Sequence, residues 1–165
     1  MERLLADHLL SVLVFLPAAG ALLLLLLPRQ AVGAARSLAI AVSVLELVLS
    51  LPLWMRFDVL LQGFQFREKL NWIPQLGISY NVGIDGISLL LVLLTTVLTP
   101  VALLFSYSHV EKEVRGFSIA FLILETGMLG SLVALDLALF YVFWEVMLVP
   151  MYFRSEEHTS ELQSL

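Results

Sequence analysis

The 165-residue chain has no cysteine, three histidines and two lysines, and charged residues make up only 14% of it. Without cysteine there is no disulfide framework, no thiolate metal site, and no iron–sulfur or c-type haem attachment within this chain. The histidines, His8, His109 and His158, all fall outside the apolar runs. No glycine-rich dinucleotide or phosphate loop, HExxH or GxSxG pattern occurs, so no familiar short motif for nucleotide, zinc or acyl chemistry is present. The shortage of charge is the most informative of these, because a soluble domain carries about 25% charged residues. Hydrophobic residues instead reach 60% and the mean hydropathy is +0.96. The composition is that of an integral membrane protein, surrounded by the lipid bilayer and with no nucleic acid partner. The net charge of −5 sits mostly in loops and in the C-terminal tail and identifies no partner.

Apolar runs of span length set the expected organisation. Residues 9–27 carry no charge and predict a first span, too long and too weakly basic at its start for a cleaved signal peptide. Residues 37–54 predict a second, with Glu46 mid-span and Trp54 at the interface. Residues 56–83 mix charge with Gly63, Pro74 and Gly77, and read as a surface loop able to hold a hairpin. Asp85 is placed to cap a third helix over 85–107, where Thr95, Thr96 and Thr99 can compensate for Pro100. His109, Glu111, Lys112, Glu113 and Arg115 lie in the connector to a fourth span, 117–135. Gly127, Ser131 and Ala134 there share a face suited to close packing, with Glu125 roughly opposite. Asp136 leaves almost no loop before a fifth span, 137–153. The expected fold class is an all-α polytopic membrane protein with about five transmembrane helices.

Glu145 is the strongest functional candidate. It lies nine residues after Asp136, roughly 13 Å along a helix at ~1.5 Å per residue, near the midplane of a hydrocarbon core ~30 Å thick. An ionised group there costs about 2.5–3.5 kcal/mol on insertion scales, so it should face protein or water, pair with a cation, or carry a proton. Tyr141 and Tyr152 fall on the same stripe at 100° per residue, and Pro150 denies a donor to the carbonyl of Val146. Three of the five spans hold a mid-membrane acid, Glu46, Glu125 and Glu145. Charge leaves the orientation tied at four to four, with Arg3, Arg56, Arg67 and Lys69 balanced by four on the opposite side. Arg29, Arg36, Lys112 and Arg115 sit in short loops on one side, which favours that side as cytoplasmic.

Two segments, VFWEVMLVPMYF (142–153) and NWIPQLGISYNVGIDGISLLLVLL (71–94), closely resemble the chain M family of antiporter-like subunits in the proton-pumping NADH:quinone oxidoreductase, respiratory complex I. The resemblance runs over residues 1–153. It implies an antiporter-like bundle of about fourteen helices in the complete protein, with channel lysines on later helices. In that family the helix 5 glutamate belongs to the proton channel, which maps onto Glu145. Asp136 matches an acid before that helix, and Glu111 resembles one at the boundary of helices 3 and 4. Glu125 joins these candidates on its mid-span position, without a family counterpart.

The function so implied is proton translocation coupled to NADH oxidation and quinone reduction in a bacterial cytoplasmic membrane. NADH, FMN, iron–sulfur clusters and quinone would be used by other subunits, with no cofactor in this chain. The antiporter-like chains L and N would be its neighbours. The stretch alone is expected to be inactive, since Lys69 and Lys112 both lie outside the spans. Alternative readings are a subunit of a multisubunit cation/proton antiporter or membrane-bound hydrogenase, told apart by neighbouring genes, and a structural scaffold with carboxylates joining helices.

Residues 154–165, RSEEHTSELQSL, end the apolar pattern abruptly and resemble the translation of a short-read sequencing adapter. They are expected to be a non-native tail. Sequencing the locus from source DNA should show apolar codons continuing the fifth helix beyond codon 153; codons 154–165 found intact would refute this.

Overall fold

The computed structural model describes residues 8–110 and 113–162, with side chains as far as Pro150. Among the described residues the order is α1 (Leu9–Leu26), α2 (Val32–Arg56), β1 (Gln65–Ile73), a 3-10 turn (Pro74–Leu76), β2 (Ile78–Ile84), α3 (Gly86–Ser106), α4 (Val114–Val133) and α5 (Leu137–Leu162). The polytopic helical bundle is as expected. The first four helices are long and apolar enough to cross a bilayer, and the described apolar part of α5, Leu137–Pro150, is shorter. The helix itself runs on to Leu162, past the loss of apolarity. α2 begins earlier than residue 37 and takes in Arg36. That charge is accommodated because the guanidinium donates to the Val110 carbonyl at 2.9 Å and lies 5.2 Å from the centre of the Tyr107 ring.

Residues between α2 and α3 form an ordered antiparallel hairpin, so the fold is not purely helical. Lys69 pairs with Asn81 and Ile73 with Ile78, with irregularities on either side of the central pairs. Phe66 has φ 52°, a left-handed conformation at one of these irregularities, where an extra residue bends the strand. Gly77, at φ 70°, closes the turn in a conformation that suits glycine. Val82 and Ile84 of β2 are buried, and the strand reaches α3, α4 and α5.

α4 touches all four other helices and is the centre of the bundle. Small residues let it do so. A Cβ on Gly127 would stand 2.9 Å from the Met147 amide nitrogen and 3.0 Å from the Phe143 carbonyl oxygen, both on the backbone of α5. Gly130 faces the Phe143 ring so closely that any side chain would collide with it. The close-packing pair is therefore Gly127 and Gly130, not Gly127 with Ser131 and Ala134. Ser131 bonds back to the Met128 carbonyl, and Ala134 leaves the helix and bridges to Val82.

The core is split. One apolar cluster gathers the hairpin side, with Leu10, Leu13, Leu53, Val92, Leu129 and Phe143 among its members. The other gathers Ala21, Leu24, Ala39, Val42, Leu103 and Leu122 toward the opposite side. Between the two along α2, α3 and α4 lie the buried polar residues Ser43, Glu46, Ser50, Thr96, Thr99, Glu125 and Thr126.

Gly127→Ala should force α4 and α5 apart, because the new methyl meets backbone that cannot rotate away. A loss of about 1–3 kcal/mol is expected, read as a lower temperature of half-aggregation in detergent, while Gly33→Ala, which meets nothing within 4 Å, should have little effect.

Candidate functional site

Helix phase decides where Glu145 points. Leu139 and Phe143 of α5 are buried against the bundle, and Glu145, two residues beyond Phe143, is turned about 200° away at 100° per residue. It is accordingly exposed on the outer face of this five-helix unit. Tyr141, one turn earlier, is 61% exposed and interacts with the Glu145 carboxylate. Trp144 flanks them, stacked obliquely on Phe140 with ring centres 5.8 Å apart. Side chains beyond Pro150, Tyr152 included, lie outside the description.

Asp136 is held at the corner between α4 and α5. Its Oδ1 accepts from the Ala138 amide at 2.9 Å and so caps the start of α5, while Oδ2 accepts from the Ser79 amide at 3.1 Å and its hydroxyl at 3.2 Å. These bonds, the Ser79 amide foremost, hold its carboxyl below the usual carboxylate range against a smaller opposing effect of burial. The Leu135 amide adds a bond to the Asn81 carbonyl at 2.8 Å. The hairpin is thus clamped to the end of the helix that carries Glu145. Glu111 lies outside the described residues.

Glu125 lies near the middle of α4 and is completely buried, as is Glu46 on α2. The two side chains interact with each other across the α2–α4 contact. The structure therefore separates the candidates: Glu145 faces outward, Asp136 caps a helix at one end, and Glu125 faces an acid that sequence reading had left without a partner. Glu46 was visible as a mid-span acid, but only the packing places it opposite Glu125.

A second carboxylate went unnoticed in the sequence. Glu68 of β1 is 8% exposed and accepts from the Leu10 and Ser11 amides at 2.9 and 3.1 Å. Ser11 also donates its hydroxyl to Glu68 and pairs with the Tyr80 hydroxyl at 2.7 Å, and His8 Nδ1 stands 3.5 Å from Glu68. α1 has no cap of its own, so a distant glutamate supplies it. Among the described residues no group of three metal-ligating side chains comes together.

An apolar helix bundle, clamped at one end by a hairpin and carrying mid-span carboxylates, defines a polytopic membrane protein with acids placed in its hydrocarbon layer. The sequence matches the family described as NADH-ubiquinone oxidoreductase chain 4, amino terminus, over residues 16–135. The chain belongs to this family. It is 43% identical over 150 residues to NADH-quinone oxidoreductase subunit M of Rhodobacter capsulatus, covering 88% of this chain and 29% of that one. It is 40% identical over 143 residues to NADH-ubiquinone oxidoreductase chain 4 of Marchantia polymorpha, covering 87% of this chain and 29% of that relative. A chain in the structure of respiratory complex I from Thermus thermophilus with bound NADH superposes with a TM-score of 0.68 at 29% identity, over 86% of this chain and 27% of that one. The sequence thus spans less than a third of the length of these relatives.

Because hydrogen bonds lower the Asp136 value, the stability it contributes is complete above the ordinary carboxylate pKa of ~3.9 and is lost as pH falls through its lower folded value. Protection of the Ser79 amide from hydrogen exchange, taken relative to its intrinsic rate at each pH, should stay high from neutral pH down to about 4 and fall below that, and Asp136→Ala should remove the protection at every pH. Protection unchanged in the variant would refute the clamp.

Proposed function

We propose that the chain works as the amino-terminal part of a proton-translocating membrane subunit of an NADH:quinone oxidoreductase, with Glu145 as a proton-carrying group. The observation that supports this most is a carboxyl well inside the apolar part of α5, on the face turned away from its own bundle, in a chain of this family. Low dielectric favours the protonated form of a carboxyl, and a cation brought close favours the ionised form. A group in such a place therefore takes up or releases a proton as its surroundings change. Helices α1 to α4 contain no lysine, so the cation belongs to the remaining length of the subunit, packed over the outer face of α5. Asp136 sets the position of α5 and through it the depth of Glu145. Glu111 and Glu125 are proposed as further acids of the proton path.

The wider assignment is proposed from the resemblance of residues 71–94 and 142–153 to the chain M family and goes beyond the relatives' names. The subunit sits in a bacterial cytoplasmic membrane beside the antiporter-like chains L and N, with NADH, FMN, iron–sulfur clusters and quinone handled by other subunits. The short-loop side bearing Arg29, Arg36 and Arg115 faces the cytoplasm and the hairpin faces outward.

Glu145→Gln in the full-length subunit keeps the size and hydrogen-bonding ability of the side chain but removes its ionisation. Inverted membrane vesicles carrying it should lose NADH-driven acidification, read with a pH-gradient dye, down to the uncoupled background, and coupled NADH oxidation should slow while the complex stays assembled. Normal acidification at a normal oxidation rate would show Glu145 to be structural.

A further inference from the structure

Glu46 and Glu125 are both 0% exposed, and none of their four carboxylate oxygens has a hydrogen bond of normal geometry among the described residues. They lie in the polar layer that separates the two apolar clusters, each near the middle of its helix. The hydroxyls of the same buried layer have acceptors elsewhere, although Thr99 also interacts with Glu125. Thr99 donates to the Thr95 carbonyl at 3.0 Å, Thr126 to the Leu122 carbonyl at 3.1 Å, and Ser50 and Thr96 bond to each other at 3.0 Å.

Among the described residues no positive charge is at hand from the elements packed around the pair, and α5 between Leu137 and Pro150 brings only Glu145, which is turned outward. α1 has no charged residue, α3 has none, α2 has only Glu46 between Ser37 and Met55, and α4 has only Glu125 between Phe117 and Val133. The nearest arginines along these helices are ten residues away at their ends: Arg36 bonds the Val110 carbonyl, Arg115 bonds the Leu27 carbonyl, and Arg56 is exposed. Two bare negative charges side by side in such a place would be opposed by burial and by each other. A single proton resolves both problems, giving one carboxyl a hydrogen to donate and the other a bond to accept.

We propose that Glu46 and Glu125 form a proton-binding site in the middle of the bundle, the two carboxyls sharing one proton. The site gives Glu125, proposed above as an acid of the proton path, a partner in Glu46; it does not rest on Glu145, which faces the other way from α5, and needs only that the helices lie in the membrane. A bound sodium ion is the less favoured occupant, because it would find two carboxylates and no third ligating acid or histidine among the described residues.

Infrared spectra of the full-length subunit in its membrane complex test this, comparing wild type with Glu46→Gln, Glu125→Gln and the double variant at neutral pH in H2O and D2O. Wild type should show the C=O stretch of a protonated carboxyl that shifts on deuteration. Each single variant should shift that band, since the acceptor changes from carboxylate to amide, and the double variant should abolish it. If the double variant fails to assemble, the two single variants decide. A wild-type spectrum matched by every variant would overturn the proposal, and a band seen only after sodium is removed would replace the proton with sodium. The readout does not depend on pumping, so it stands apart from the outcome at Glu145.

Discussion

The end of a helix near a bilayer is its most demanding point, because four amides or four carbonyls there have no partner within the helix and hydrocarbon offers none. For α1, α3 and α5 this bundle meets the demand with charge of the appropriate sign, whereas α2 and α4 start without a side-chain cap. α1, α3 and α5 all begin on the hairpin side, and an acid serves each start: Glu68 for α1, Asp85 for α3 and Asp136 for α5. At the opposite side Arg115 meets the end of α1 at Leu27, and Arg36 meets Val110 just past α3. Acids at helix starts and bases at helix ends both oppose the helix dipole. Two of the three acids also tie the hairpin down, Glu68 from within it and Asp136 through Ser79. Cap and clamp come from the same carboxylates, so the hairpin, although outside the spans, sets how α1 and α5 enter the bundle.

Depth and direction of the mid-span acids follow from that frame. Once Asp136 sets the start of α5, and Gly127 and Gly130 let Phe143 press into α4, the 200° turn from residue 143 to 145 leaves Glu145 no choice but the outer face. The same close contact makes α4 the hub and carries Glu125 into the core, where α2 brings Glu46 to meet it. Prolines add to the polarity at this depth. Pro100 cannot donate to the Thr96 carbonyl and Pro52 cannot donate to the Val48 carbonyl, so backbone acceptors are freed beside the layer of buried hydroxyls. One acid is thus offered to whatever covers the unit, and two are sealed inside it.

Much of this was legible from residue order alone. Hydrocarbon thickness imposes a length on apolar runs, so the helices, their order and the depth of Glu46, Glu125 and Glu145 could be read from the chain, as could the cap at Asp85, whose partners are two and three residues away. The family was legible too, because the segments around Trp144-Glu145 and after Asn71 are distinctive. What tertiary structure alone decided are the contacts between residues distant in sequence. Glu68 caps a helix 58 residues earlier, Ser79 reaches Asp136 across 57, and Glu46 meets Glu125, none of which leaves a periodic trace in the chain. The hairpin's bulges broke the alternation that marks a strand, and on α4 the small residues Gly127, Gly130, Ser131 and Ala134 offered more than one packing face. Helical period tells which residues share a face; only the neighbouring helices determine what that face meets.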